Sequence, residues 1–577
     1  MHKKILVGVA WPYVNGDIHL GHLAGYLIPA DIVARYQRLR GNDVLMVSGS
    51  DTHGTPITVE ADKKGVQPAE IVKQYHQNDI QLFKKYRLSY NLYTSTQTEN
   101  HKRVVQELFL DLLKNDYIVK GTMKQYFATQ DNQFLPDRYV EGTCPYCKAG
   151  QQRSDQCESC GRWIEDGELI DPVSKLSGSP VELKDTEHYF LDFSKLDNEL
   201  KQYVEDKKDI WRNWVWKETN GWLKEGMKKR AITRDMDWAI DLPVEEILKL
   251  DKSKQLENYD GKKIYVWFEA VIGYLSAPQE WAVLESENED IIFTKGESQD
   301  TDWQNWWLNQ DSEHYYFMGQ DNLVFHTLMW PAQLIGSKRG YKLPTHVVVN
   351  KFMNYEGKKF SKSRGWTIDS AQMADKFGTD AVRYYISANL PEHKEANFTW
   401  EGFTDAINNE LVANFGNLVN RSLTFFAARY DSHLTIDDYK IDTKVQAKVS
   451  TCFAKTSSLL DMAEISPAVN EIMALAKFGN QYFETQAIWK VIKEKPEEAE
   501  EIMLNLLNLL ANLSVLIAPI LPNSSSKLMA MLGINLPGVS VDLDLWQPQV
   551  RNSFALSSAP EILFTKLDRD QVVSEKV

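Results

Sequence analysis

Two histidines one helical turn apart, His19 and His22, bracket Gly21 in the stretch AWPYVNGDIHLGH. Before them, Ile5 to Ala10 suit a strand buried on both faces; after them, apolar residues recur at helical spacing as far as Arg40. The pair therefore stands where a strand gives way to a helix, a place where open α/β sheets bind ligands. Imidazoles at i and i+3 near a helix N-terminus can donate to an anion, and the exposed amides and dipole there add favourable potential. Gly21 leaves room for a flat ring to approach the backbone. A metal-ligand reading of the pair lacks a further histidine or carboxylate at ligand spacing.

Far downstream, NKFMNYEGKKFSKSRG carries Lys359 and Lys362 on a loop rich in Gly and Ser. Such a loop can close after ATP enters and follow the charge that builds up on its phosphates. No G-x-x-x-x-G-K-[ST] occurs, which argues against a P-loop ATPase. A second basic cluster, Lys224 to Arg234, reads as a solvated face. Four cysteines form CPYC and CESC: Cys144, Cys147, Cys157 and Cys160, with nine residues between the pairs. Thiolates three apart in two tight turns supply a closed tetrahedral site, so structural zinc is predicted. Disulfides are disfavoured in a cytoplasmic chain, and a redox site needs only one pair. Cys452, alone in a helical pattern, is predicted to be a packed small hydrophobe.

The elements that must hold these residues follow from pattern. The 577 residues, 43% apolar and 25% charged, are those of a globular protein of three or four domains. A net charge of −15 excludes bulk electrostatic coating of nucleic acid, though not local recognition. The opening MHKKILVG has no apolar core or cleavage site of a secretory signal, so a cytoplasmic chain is expected. From Lys4 to about Tyr117 strands alternate with helices. Turn-rich segments around the cysteines interrupt the alternation, which resumes near KKIYVWFEAVIGYL and runs to THVVVNKFM. One sheet split by a long insertion explains this better than two independent domains. From about Trp400 strands vanish and helices predominate; the tail after about Arg569 is predicted to fray. Leu504 to Pro522 is apolar enough to be checked as a membrane span. Asn505, Asn508, Asn512 and Ser514 within it, and EEAEE before it, favour a buried helix.

HLGH and KFSKS resemble the paired nucleotide-binding signatures of class I aminoacyl-tRNA synthetases. AWPYVNGDIHLGH, GSDTHGTPI, YVWFEAVIGYL, FMGQDNLVFHTLMWPA and the cysteine knuckle are similar to the methionyl-tRNA synthetase family over essentially the whole chain. The resemblance implies an α/β fold: a Rossmann-type parallel-sheet catalytic domain split by a zinc-knuckle connective insertion, followed by an all-α anticodon-binding bundle. The boundaries drawn are 1–117 and 227–345 for the catalytic halves, 118–226 for the insertion, 346–400 for a stem-contact segment with the KFSKS loop, and 401–577 for the bundle. It implies catalytic roles for His19, His22, Lys359 and Lys362, and ATP contacts for Gly21, Gly319, Asp321, Ser361 and Lys362. Gln320 stands where many relatives have lysine, and Phe360 replaces the signature methionine.

A selective site for a thioether should be aromatic-walled with few polar groups. Ala10, Trp11, Tyr13, Trp267, Ala270, Tyr274 and His326 match the family's pocket, with Asp51 placed to take the ammonium. Val271 and Asn322 depart from residues common there. Asn417, Arg421 and Trp489 match residues that read the CAU anticodon. The implied reaction attaches methionine to tRNA(Met) through methionyl-adenylate, with Mg²⁺ accompanying ATP, one structural Zn²⁺ and no membrane. The chain ends at Val577, so a monomer is expected. The rivals are a synthetase for leucine, isoleucine, valine or cysteine, and a binding-only RNA-binding paralogue. The insertion is short for the editing domain usual in the first three, cysteine enzymes keep a different zinc ligand set, and intact HLGH and KFSKS argue against the last.

Overall fold

Six strands form the sheet that carries the histidine turn: β1 (Lys4–Val9), β2 (Asp43–Ser50), β3 (Leu92–Ser95), β4 (Ile292–Phe293), β5 (Glu313–Gly319) and β6 (His346–Asn350). Their spatial order is β4-β3-β2-β1-β5-β6, all parallel except β4, which runs antiparallel to β3. The computed structural model describes residues 2–573 apart from 131–132, 137–138, 155–156, 158, 160–163, 165–166, 176, 297–299, 361–364 and 535–539. The chain starts at the sheet's centre, moves out through β2 to β3, and later returns to β1's other edge. The carboxyl ends of β1 and β5 thus flank the point where strand order reverses. Val9 pairs with Phe317, and the Ala10 amide donates to the Phe317 carbonyl at 2.9 Å. β2 is buried throughout and β1 from Ile5 onward, as helices on both faces require.

Strands on both sides of the long insertion thus share one sheet. The outer strand β6 begins at 346, just past the boundary drawn from sequence, and β4 is an edge strand that sequence pattern did not announce. Between β3 and β4, Ile118–Ala128 and Val181–Leu191 pair antiparallel along their whole length. Arg230–Ala231 adds to Val181–Leu191, so pairing carries past residue 226. Cys144 directly follows Val140–Thr143, which forms a three-stranded sheet with Gln152–Arg153 and Ile170–Ser174.

The carboxy-terminal part is helical, with one correction. His433–Thr435 and Ser553–Ala555 pair antiparallel, so strands do not vanish there. Residues this short and polar carry no alternation to announce a strand. Arg569–Val573 is a short helix where fraying was expected. Helix Pro496–Ile517 has the length and hydropathy of a membrane span, yet 89% of its apolar window is buried inside the fold. Its asparagines explain themselves: Asn505 Oδ1 accepts from the Asp442 amide (2.8 Å), Asn508 Oδ1 from Arg551 (2.7 Å) and Asn512 Oδ1 from Gln549 (2.9 Å). They pin irregular chain against the core helix by satisfying its buried amides. Cys452 is buried, as expected.

The parts are joined by buried charge. Arg383, on helix Thr379–Ala388, donates through Nη2 to Asp31 Oδ2 at 2.7 Å and to the Pro519 carbonyl at 2.9 Å; its Nε donates to Ile520 at 2.7 Å. Burial alone would raise the Asp31 carboxyl, but Arg35 and Arg383 outweigh it and hold it at about 2. Arg383→Met leaves Asp31 with Arg35 and Ser89 but takes the donor from the buried Pro519 and Ile520 carbonyls, and urea titration at neutral pH should show a loss of roughly 1–3 kcal/mol. Because the folded carboxyl lies below its unfolded value, the pair's contribution is complete above about pH 4 and fades as pH falls toward about 2, so the difference between the two chains should narrow in acid.

Candidate active site

The sheet's reversal point puts the chain after β1 beside the chain after β5. The first helical turn after β1 is Leu20–His22, continuing as a π-helical stretch, Leu23–Leu27, and then Ile28–Leu39. The two histidines cap this turn reciprocally. His19 Nδ1 accepts from the Gly21 amide and His22 Nδ1 accepts from the His19 amide, both at 3.1 Å. With both Nδ1 atoms accepting, the neutral rings carry their protons on Nε2, and their centroids lie 3.8 Å apart. The cap thus fixes the tautomer of two donors at a positive helix end. Phe360 of KFSKS stacks parallel to His19, centroids 4.9 Å apart and planes at 7°. A Cβ on Gly21 would stand 3.0 Å from His19's ring and 3.3 Å from Phe360, so this glycine makes room for that stack.

At the end of β5, Asp321 is exposed, and a Cβ on Gly319 would lie 2.8 Å from its Oδ1. Lys359 is exposed on the short strand Lys358–Lys359. Ser361 and Lys362 lie outside the described residues, as does Cys160.

The predicted pocket residues converge beside this edge. Trp11 rests on backbone: Cβ atoms on Gly49 and Gly273 would come within 2.3 and 2.5 Å of its indole. Its Nε1 is buried without a hydrogen bond. Tyr13 bridges to Asp51 as an isolated parallel pair, and Asp51 is buried. Burial, reinforced by the charge of Glu269, pushes the Asp51 carboxyl well above the usual range. Ala10 is buried at the end of β1; Trp267, 37% exposed, lies at the rim against Phe325 (5.4 Å) and adjoins Ala270 through the helix Val266–Glu269. Tyr274 and His326 are buried together, Oη to Nε2 2.8 Å. His326 Nδ1 lies 2.8 Å from the Asn322 carbonyl, which can only accept, so Nδ1 bears the proton and Tyr274 donates to Nε2. His326 belongs to a second π-helical stretch, Phe325–Met329, which follows β5 much as the first follows β1. Behind Asp51, sequence reasoning missed a buried cluster of His53, His101 and Glu269, which carries no local spacing signal.

Cys144, Cys147 and Cys157 bring their sulfurs within 4.8 Å of one another. The Cys147 and Cys157 sulfurs are 3.5 Å apart, against about 3.8 Å for two thiolates on a tetrahedral Zn²⁺. The donor set fits a thiolate-bound metal, and two of the cysteines lie in a core separate from the main one and much smaller. In the bundle, Arg421 lies with its guanidinium 4.0 Å over Phe483 and donates to Glu484 at 2.6 Å. Trp489, 36% exposed, stacks on Phe483 at 5.8 Å and 23°. Asn417, one turn before Arg421, donates to Asn480 at 3.1 Å. All three predicted residues therefore meet on one side of helix Ile465–Gln486.

A family model for tRNA synthetases class I (M) matches residues 5–423, and one for the anticodon binding domain of methionyl tRNA ligase matches 437–576. The chain belongs to the class I tRNA synthetases, in their methionine branch. The methionine–tRNA ligase of Roseiflexus sp. (strain RS-1) is 40% identical over 608 aligned positions, covering 100% of this chain and 98% of its own. That of Dehalococcoides mccartyi (strain CBDB1) is 42% identical over 578, covering 100% and 99%. The fold is similar to that of Mycobacterium tuberculosis methionyl-tRNA synthetase in complex with methionyl-adenylate, with TM-score 0.75, 21% identity, and 97% and 99% of the two chains covered.

Burial holds His326 down to about 4. Nitrogen NMR of the labelled ring should show the neutral Nδ1–H tautomer unchanged from about pH 5.5 to 8, where an exposed histidine would titrate.

Proposed function

We propose that this class I synthetase activates methionine with MgATP as methionyl-adenylate and transfers the methionyl group to tRNA(Met), for initiation and elongation of translation. The observation that carries the reading is the reciprocal cap of His19 and His22, which sets two Nε2–H donors at a helix N-terminus on the sheet's reversal point.

Methionine's carboxylate attacks the α-phosphorus of ATP in line, and pyrophosphate leaves. His19 and His22 hold the triphosphate and the charge that develops on the phosphorus, with Gly21 beneath the adenine. Asp321, given room by Gly319, takes the ribose hydroxyls. Lys359, Ser361 and Lys362 follow the departing pyrophosphate. Asp51 takes the ammonium, whose positive charge offsets the burial that otherwise raises this carboxyl. Ala10, Trp11, Tyr13, Trp267, Ala270, Tyr274 and His326 surround the side chain. A ribose hydroxyl of the terminal adenosine of tRNA then attacks the acyl carbon, the mixed-anhydride bond breaks and AMP leaves. The catalytic power lies in positioning and electrostatics, so no side-chain nucleophile is required.

We read the sheet as a Rossmann-type domain split by a connective insertion in which Cys144, Cys147, Cys157 and Cys160 hold one structural Zn²⁺; bound there, the metal closes the knuckle and does no chemistry. Asn417, Arg421 and Trp489 read the anticodon, and the enzyme works as a monomer in the cytoplasm.

Pyrophosphate exchange into ATP, run with each of the twenty amino acids and no tRNA, should proceed with methionine alone and fall by orders of magnitude in Lys362→Ala. Exchange with another amino acid would overturn the pocket. Trp489→Ala should cripple aminoacylation of tRNA(Met) and leave exchange intact; loss of both would make Trp489 structural.

A further inference from the structure

The activation step leaves one buried cluster beside the pocket without a part. Glu269 is wholly buried at the end of helix Val266–Glu269. One carboxylate oxygen lies 2.9 Å from His53 Nδ1, the other 2.7 Å from His101 Nε2. The Gln97 amide nitrogen, a donor only, lies 3.0 Å from His53 Nε2, so His53 is protonated on Nδ1 and donates to Glu269. Burial opposes the charge on Glu269, but His53 and His101 outweigh it and hold the carboxyl below its usual range.

A buried carboxylate is a costly tie, since packed apolar side chains of similar volume commonly stabilise as well or better. What distinguishes this one is the set of elements it joins. His53 follows Asp51 by two residues, and its amide lies 3.4 Å from Asp51 Oδ1. The His101 ring lies against Trp11, centroids 5.9 Å apart, and its Nδ1 is 2.8 Å from Ser276 Oγ. Ser276 is one turn beyond Gly273, on whose backbone Trp11 rests. Glu269 itself stands between Trp267 and Ala270. One carboxylate therefore joins the segment that carries Asp51 to the one that carries Trp267 and Ala270, and holds between them the His101 ring that lies against Trp11.

We propose that Glu269 is a positioning residue for the amino-acid substrate: through His53 and His101 it sets the separation between Asp51 and the wall formed by Trp11 and Tyr274. This rests on the methionine reading above. The cluster then acts as a gauge of length, because a substrate binds well only when its ammonium and its side-chain terminus reach both ends together.

The test is pyrophosphate exchange with the full chain and its Glu269→Gln, Glu269→Asp and Asp51→Asn variants, with active sites counted by a single-turnover burst of adenylate. Glu269→Gln keeps the volume but offers one acceptor where two donors point. It should raise KM for methionine at least about tenfold while KM for ATP stays within about twofold. Glu269→Asp, charged but one methylene shorter, should fall between the parent and the glutamine variant. An unchanged KM for methionine, or a loss of kcat per active site with both KM values unchanged, overturns the proposal. If Glu269→Gln does not fold, the aspartate variant decides by the same criterion. If Asp51→Asn leaves KM for methionine unchanged, the pocket itself is misread. If Asp51→Asn raises it and Glu269→Gln does not, only the positioning role falls.

Discussion

The ion pair between Asp31 and Arg383 ties the helix Ile28–Leu39, which leaves the histidine turn, to the segment after the lysine loop and, through the Pro519 and Ile520 carbonyls, to the helical bundle. Both side chains are sealed from water. In such a setting a lost partner costs far more than the pair is worth over an apolar substitute, so its chief effect is on specificity of docking. The guanidinium is satisfied only when carbonyls of Pro519 and Ile520, from the bundle, are present with Asp31. Arg212 makes a second junction of the same kind. Its Nη1 donates to the Val349 carbonyl and to Asn350 Oδ1, both at 2.8 Å, while Nη2 donates to Ala463 at 2.9 Å. Asn350 Nδ2 in turn donates to the Gly25 carbonyl at 2.9 Å, within the helix that leaves the histidine turn. That helix is thus held along its length by groups that also hold the bundle.

The same economy governs the site. An imidazole takes its tautomer from the hydrogen bond its other nitrogen makes; here the backbone amides of the turn itself are the donors, so His19 and His22 owe their donor orientation to the local chain path. In the pocket the logic is reversed. His326 takes its tautomer from the Asn322 carbonyl, and Tyr274 is thereby committed as a donor to it. Two adjoining histidine arrangements end up with opposite tautomers because opposite backbone groups, amides in one case and a carbonyl in the other, meet their Nδ1 atoms. Neither arrangement needs a charge on its imidazole rings.

Chemistry with short-range spacing was legible in the sequence. The strand-to-helix turn at His19, the buried strands and the cysteine pairs all announce themselves within about ten residues, where period and ligand spacing act. The buried character of Leu504 to Pro522 was legible as well, from asparagines that have no place in lipid. What stayed hidden depends on residues far apart. His53, His101 and Glu269 belong to three segments and become a cluster only after the sheet is assembled. The two glycines beneath Trp11, Gly49 and Gly273, look like ordinary strand and helix glycines until the indole is placed on them. The pair His433–Thr435 and Ser553–Ala555 is too short to show alternation, and β4 is two residues long.

The order of strands also shapes how the chain reaches this state during synthesis. β1 is at the centre of the sheet, but its second neighbour, β5, is encoded about 300 residues later. At about 5–20 residues per second, the edge of β1 that will face β5 waits roughly 15–60 s for its partner. For that interval a strand made almost wholly of apolar residues presents an open ladder of amides and carbonyls, the condition under which nascent chains pair with the wrong neighbour. The insertion that divides the sheet is therefore a delay in time as well as a detour in space. The chain's most exposed moment as a folding object falls while it is being made, on the strand from which the histidine turn springs.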